Sequence, residues 1–377
     1  MRISKVTVTP LRLPLKQPYV WSQGVEEVFT VNLVALEAED GTIGYGETTT
    51  APDAEAQKRV LEKIGKRLVG QSVYDCDRLL REAYRALFLA FGGNMPRHFA
   101  QLSAGLEMAA LDLQGKLLDR PVWDLLGGAQ RQAVGYFYFL QGHTPEALAA
   151  DAAAAVDAGH PVIYLKVGVG AAHDLAAVKA VRAAIGEARL RLDANEAWDP
   201  ATALRRIESF RPYDIEYIEQ PTPSASPEAL AAVTARSPIA IGADQSVFTL
   251  QEIYRAAANQ RVDMIAVGPR ETGGLRATMK AAAIAEGAGM TLCIHSSMTT
   301  GITTCAEHHV GRAIPNLDDG NQIMWQLLRD NIVADPPLAP ERGQLKLPAN
   351  PGLGFTLNWP IVDAAAERHR AFVLGEG

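Results

Sequence analysis

The chain has 377 residues, 48% hydrophobic and 21% charged, with a formal net charge of −7. That length suits a barrel plus a second module, and the negative balance argues against nucleic acid or an anionic membrane as partner. It leaves room for an anionic substrate, because a bound divalent cation reverses the local field.

Residues 1 to about 50 read as antiparallel strands. Ile3 to Leu15 and Phe29 to Leu36 are β-branched or alternating runs, and Asp40-Gly41 is a hairpin signal before Ile43-Gly44-Tyr45-Gly46-Glu47. The start of the chain alternates like a strand and lacks a signal-peptide block. Helical periodicity runs from Asp53 to Leu126, and the rhythm changes at Gly127-Gly128. Strands and alanine-rich helices then alternate. The strands are Val134–Leu140, Val162–Val167, Leu190–Asp193, Ile215–Glu219, Ile239–Asp244, Met264–Val267 and Met290–Ile294. Thr144 with Pro145 marks a helix start. Asn321–Met324 is the candidate eighth strand, and the Pro- and Gly-rich tail after Pro336 crosses back to the first module. The expected organisation is an α+β capping domain (1–128), a (β/α) barrel (129–330) and a C-terminal segment (331–377) returning to the cap. Cys76, Cys293 and Cys305 form no CxxC and no even framework, which fits a reduced cytoplasmic protein. No apolar run is long enough for a transmembrane helix.

Lys166, Asp193, Glu219, Asp244 and Gly268 each end one of these apolar runs and recur about every 25 residues, the length of one strand, one helix and two short loops. His295 follows at a similar interval. Such residues sit at the C-terminal ends of parallel strands, where (β/α) barrels carry their chemistry. Any one carboxylate there could simply cap the next helix. Three at one level repel unless a cation lies among them, and oxygen ligands point to Mg2+. Lys166, one strand earlier, reads as a general base or as a rim lysine; beside a divalent cation its neutral form is favoured. Gly168-Val169-Gly170 resembles a nucleotide loop, but position 173 is His173 rather than a third glycine, so that reading is rejected.

Leu165-Lys166-Val167-Gly168, Leu192-Asp193-Ala194-Asn195, Ile218-Glu219-Gln220-Pro221 and Gly242-Ala243-Asp244 together resemble the enolase superfamily, in its muconate-lactonizing branch of the mandelate racemase family. Leu13-Pro14-Leu15, Gly44-Tyr45-Gly46-Glu47 and Gly273-Gly274 extend the resemblance over nearly the whole chain. It implies a modified TIM-type barrel under an α+β cap, Mg2+ stabilising an enediolate, and homo-oligomers. It makes Asp193, Glu219 and Asp244 metal ligands and Lys166 the acid/base, with Asn195 near the metal's outer shell. A Lys or His base beside Mg2+ is the general pattern for enolase-superfamily sites. Tyr19-Val20-Trp21-Ser22 and Thr48-Thr49-Thr50-Ala51-Pro52 match loops that close over the barrel, which makes Tyr19 and Trp21 substrate-facing or simply inter-module packing.

The chain departs from the family pattern at three places. Tyr164 stands where the first lysine of Lys-x-Lys is common, Gly268 stands where a second acid/base lysine is usual, and Gln245 replaces a frequent Glu. Positions 245 and 268 read as a linked pair, since losing a cation would orphan a nearby anion. Gly268 also reads as open space for a bulkier substrate. One obvious base favours a one-base lyase (a dehydratase) or a cycloisomerase acting on a small carboxylate. A racemase or epimerase with a displaced second base is the alternative, and a non-catalytic metal- and ligand-binding barrel is a third. His295 is the first candidate to replace the missing lysine as an acid, ahead of Ser297. Arg270 is placed to hold a second carboxylate, and Ser296, Ser297 and Thr299 to donate hydrogen bonds to a substrate carboxylate or cap the next helix.

Overall fold

The structure, a computed structural model, describes residues 1–21, 24–49, 53–89, 95–258 and 260–375. Ser22 and Thr50-Ala51-Pro52, named above as loop positions, lie outside them. Among the described residues β1 (Ile3–Trp21), β2 (Gly24–Ala38) and β3 (Ile43–Thr49) form an antiparallel sheet in sequence order. The helices α1 (Ala54–Leu68), α2 (Cys76–Phe88) and α3 (Pro96–Leu118) follow. Asp53 caps α1 by accepting the Ala56 amide at 2.8 Å. α3 lies so close on β3 that a Cβ at Gly44 or Gly46 would meet its backbone oxygens at 2.1 or 2.2 Å. Those two glycines are required by close approach rather than by turn geometry.

After the short α4 (Val122–Leu125) come β4 (Val134–Gly135), β5 (Tyr138–Phe139) and α5 (Pro145–Asp157). Strands and helices then alternate: β6 (Val162–Lys166), α6 (Ala171–Ile185), β7 (Arg189–Asp193), α7 (Pro200–Phe210), β8 (Ile215–Glu219), α8 (Pro227–Thr234), β9 (Ala240–Ala243), α9 (Leu250–Ala257), β10 (Met264–Ala266), α10 (Pro269–Thr272), α11 (Leu275–Gly287), β11 (Leu292–Cys293) and α12 (Gly301–Ala313). Strands β5 to β11 form one parallel sheet in sequence order. Their runs are nearly all buried, as expected of strands covered on both faces. The helix starts follow their signals. Thr144 caps α5, Asp199 caps α7, and Thr249 with Glu252 makes a full capping box on α9.

Two strand expectations need correction. Val134–Leu140 is not one strand: β4 pairs antiparallel with Gln344–Leu345 of the tail, whereas β5 joins the barrel beside β6. Alternation cannot reveal a mid-run change of partner. Asn321–Met324 forms no regular strand, yet its first residues fill the eighth position. Phe137 donates to the Asn321 carbonyl (3.0 Å), Asn321 to Gly135 (2.9 Å) and Gln322 to Ile294 (2.9 Å). The Asn321 side chain adds a bond from the Ile294 amide at 2.7 Å. The barrel is thus closed by bridges and one asparagine rather than a ladder.

The interior is packed. Phe137, Phe139, Val162 and Tyr164 fill one side, and Tyr217, Met264, Ala266 and Cys293 another. Arg191, fully buried, is bonded to Glu216 (2.7 Å), Asp318 (2.7 Å) and the Gly320 carbonyl (2.6 Å). It lies two residues before Asp193 on the same face of β7. The tail makes β12 (Val333–Asp335), β13 (Gln344–Leu345) and β14 (Thr356–Leu357), then α13 (Trp359–Leu374) returns to the cap. There Arg368 donates to the Arg12 carbonyl at 3.1 Å, and the Arg12 guanidinium sits 4.0 Å over the Phe372 ring. Among the described residues no helix is long and apolar enough to cross a membrane.

Candidate active site

The ladder explains how distant residues converge. Lys166 pairs with Asp193, Asp193 with Glu219, and Glu219 with Gly242. Asp244 lies two residues beyond Gly242, on the same inward face. The even sequence spacing suggested one flat level; the register is staggered instead, as barrel closure requires. Asp193, Glu219 and Asp244 are all buried.

Their surroundings differ. Asp193 Oδ2 accepts from Tyr164 Oη (2.6 Å) and Lys166 Nζ (2.5 Å), and Oδ1 from the Asn195 amide (2.8 Å). Glu219 Oε1 and both Asp244 oxygens have no hydrogen-bond partner among the described residues. Glu219, Asp244 and His295 offer ligand atoms within 4.8 Å of one another. His295 Nδ1 lies 3.1 Å from Asp244 Oδ1, close but not aligned as a hydrogen bond. Burial, then the charges of Asp193 and Asp244, raise the Glu219 pKa. Buried, unpartnered carboxylate oxygens facing one another are costly without a cation, and this oxygen-rich set fits a hard divalent one. Asp193, Glu219 and Asp244 can hold it, with His295 a nitrogen at the edge.

The Lys166 amine also donates to Asn195 Oδ1, and the Tyr19 hydroxyl reaches the same neighbourhood from the cap, each group shifting the other's pKa. Burial works to lower its pKa, but Asp193, Tyr19 and Glu219 together raise it above the ordinary lysine value. For His295, burial again favours the neutral form, yet Asp244 foremost pushes the imidazole up to about 9. Backbone strain concentrates at these strand ends. Asn195 (φ 41°), Glu196 (φ 66°) and Gln220 (φ 37°) are left-handed without being glycine. The Gln220 side chain holds the next loop in place, its Oε1 accepting from the Asp244 amide (3.1 Å) and Ser246 Oγ (2.8 Å).

A cavity of about 230 Å3 opens here, lined among others by Tyr19, Trp21, Lys166, Asn195, Asp244, Arg270, His295, Ser296 and Ser297. Tyr164, Gly268 and Thr299, expected to face the substrate, do not line it. Tyr164 is buried against Phe137 (centroids 4.2 Å apart) and serves Asp193. Thr299 is spent on Ser296, their hydroxyls 2.6 Å apart. Gly268 does not leave space: a Cβ there would lie 2.1 Å from the His295 carbonyl oxygen. The backbone just beyond β11, at His295, occupies the place where a lysine side chain would begin. The carboxylate touching position 268 is Glu271, whose Oε2 accepts the Gly268 amide at 3.0 Å. Glu271 thus supplies the anion at position 268, and Gln245 lines the cavity.

Glu196, Phe248, Met298, Gln322 and Met324 also line the cavity and were missed. Gln322 and Met324 follow the barrel-closing Asn321, so reading that segment as a site edge would have found them. The rejected Gly168-Val169-Gly170 loop has its amides filled by Asp174 at 3.0, 3.2 and 3.3 Å. Glu47, seen only as part of a turn, is buried and caps α12, accepting from the Thr300 amide at 2.8 Å.

Residues 3–127 match the N-terminal domain of the mandelate racemase / muconate lactonizing enzymes, and residues 147–361 match the enolase C-terminal domain-like family. Muconate cycloisomerase 1 of Rhodococcus opacus is 30% identical over 96% of this chain and 98% of its own. A hydrophobic dipeptide epimerase of Enterococcus faecalis is 30% identical over 84% and 89%. Among solved structures, muconate lactonizing enzyme from Pseudomonas fluorescens, complexed with muconolactone, has a TM-score of 0.89 at 29% identity, over 97% of this chain and 99% of that one. The dipeptide epimerase of E. faecalis, complexed with Mg and the dipeptide L-Leu-L-Tyr, has 0.85 at 28%, over 94% and 100%. The chain therefore belongs to the mandelate racemase / muconate lactonizing enzyme family of the enolase superfamily.

Proposed function

We propose that this protein is a Mg2+-dependent enzyme that removes the proton α to the carboxylate of a small carboxylic acid, with Lys166 as its one base, in a lyase (dehydratase) or cycloisomerase reaction. The observation that carries the reading is a half-buried amine held on Asp193 at a cavity that Asp244 also lines, with Glu219 beside Asp244. The lack of room at Gly268 for a second lysine makes it a one-base reading.

A divalent cation held by Asp193, Glu219 and Asp244 supplies positive charge that offsets the charge growing on the substrate carboxylate and weakens the carboxylates' hold on the Lys166 proton. Asp193 and Asn195 aim the amine, and Lys166 takes the α-proton as the C–H bond breaks. Tyr19 and Trp21, stacked with centroids 6.3 Å apart, exclude water from the amine's side. His295, on the cavity wall, is the acid that gives its proton to a departing hydroxyl; in a cycloisomerisation Lys166 returns the proton on the same face. With base and acid fixed in this way, the product has one configuration.

Replacing Lys166 with Ala tests the reading. Screening hydroxy acids, amino-acid derivatives and muconates in deuterated water identifies a substrate that exchanges its α-proton. In the variant that exchange falls by about a hundredfold or more, while calorimetry shows Mg2+ still bound. Exchange at the normal rate would remove Lys166 as the base. The similarity to a dipeptide epimerase favours a second reading, epimerisation with a displaced second base. Deuterated product of both configurations would establish it over the first.

A further inference from the structure

The cavity has a cationic pole that the proposed chemistry does not use. Arg270 follows β10, four strands from β6 in the sheet order, so in a closed barrel it stands opposite Lys166. It lines the cavity with Gln245, Phe248 and Ser297. Its Nε and one terminal nitrogen both end on Glu271 Oε1, so the guanidinium is gripped along one edge only. The other Glu271 oxygen is committed to the Gly268 amide. The Arg270 side chain is 19% exposed and that of Glu271 0%, so the cation and not the anion meets the ligand space. The Phe248 ring, 5.6 Å from the guanidinium carbon, braces it. Arg97 lies over the same ring at 5.0 Å, but it is bonded to Glu252 and to the Gln245 carbonyl and does not line the cavity.

A buried ion pair is a weak stabiliser, so stability gives little reason for an arginine at this wall. Arginine stays protonated at working pH, so it cannot stand in for the missing base. What it supplies is a fixed positive charge and a planar fork that matches a carboxylate. Its position puts that fork on the side of the cavity away from the base.

We infer that Arg270 anchors a second carboxylate, which makes the substrate a short-chain acid carrying one carboxylate at the metal end and another at the Arg270 end. The inference rests on the function proposed above for the first carboxylate. The cavity of about 230 Å3 keeps the chain between them short.

Binding separates this inference from the reading it rests on. Mg2+ is titrated first by calorimetry, and the Mg2+-loaded protein is then titrated with succinate and with butyrate, matched in length and differing in one carboxylate. Succinate binds at least about tenfold tighter, the worth of one charge-assisted contact. In Arg270→Met the two bind equally, with butyrate affinity kept. Because that variant strands Glu271 as a buried anion, Arg270→Met combined with Glu271→Gln is measured as well, with a thermal melt confirming its fold; the preference is lost there too. If no Mg2+ binds, the proposed function falls and this inference with it. If Mg2+ binds and succinate shows no advantage, or the advantage survives in both variants, only the role of Arg270 is overturned.

Discussion

Two residue sets are candidates to hold the proposed cation. One is the carboxylate triad implied by resemblance; the other is Glu219, Asp244 and His295, whose ligand atoms lie within 4.8 Å. Hard divalent ions prefer oxygen, and Asp193 is already oriented by Tyr164 and the Asn195 amide. Glu219→Gln therefore weakens Mg2+ binding by at least about tenfold, whereas His295→Asn leaves it nearly unchanged, both read by calorimetry. The reverse order of effects would move His295 into the ligand set and Asp193 out of it. Lys166, Asp193, Glu219, Asp244 and His295 were legible because each ends an apolar run at barrel spacing. Tyr164 was legible as a departure but not as a partner of Asp193. Hydroxyl direction depends on packing against Phe137, which no spacing encodes.

At the scale of elements, the cap is tied to the barrel through helix N-termini. Glu47 on β3 accepts from the Thr300 amide (2.8 Å), the Thr303 amide (3.3 Å) and the Thr300 hydroxyl at the start of α12. Glu107 on α3 accepts from the Leu275 (2.7 Å) and Arg276 (3.1 Å) amides at the start of α11. Burial raises both carboxyl pKa values, that of Glu107 to about 7. Each carboxylate satisfies amides that a helix start leaves unpaired. Glu47→Ala strands those donors in the interface and costs about 1–3 kcal/mol, measured as a lower urea midpoint with unchanged slope. An unchanged midpoint would show that water replaces the carboxylate. In sequence these glutamates look like any strand or helix residue, because their partners are more than 160 positions away.

For the whole molecule, pH dependence follows from two buried imidazoles on α12. His309 stacks on Trp123 (centroids 4.6 Å apart), and its Nδ1 accepts the Trp123 amide at 3.2 Å. Burial first, then the Arg312 charge, hold its pKa down to about 3, and His308 is lowered by burial as well. An unfolded histidine titrates near 6.5, so the neutral fold-bound ring contributes stability in full above that pH. The contribution is lost as pH falls from about 6.5 toward 3. Raised carboxyl pKa values at Glu47, Glu107 and Glu219 act in the opposite direction. The difference between the wild type and His309→Gln isolates the imidazole. It shifts by up to about 3 kcal/mol in the variant's favour between pH 7 and pH 4.5, read by urea unfolding at each pH. A constant difference would place the His309 proton elsewhere.

Sequence by itself determined the alternating strand and helix order, which residues end the strands, and the family. The order and the strand ends follow from local hydrophobic period, caps and interval, and the family from the resemblance of short motifs, all properties of contiguous residues. Tertiary structure alone decided that Gly268 is filled by the His295 carbonyl, that Asn321 closes the barrel, and that Arg270 rather than Gly268 faces the cavity. Each of these depends on two backbone segments meeting in space. A glycine reads the same in a sequence whether its missing side chain leaves a hole or admits a neighbouring chain.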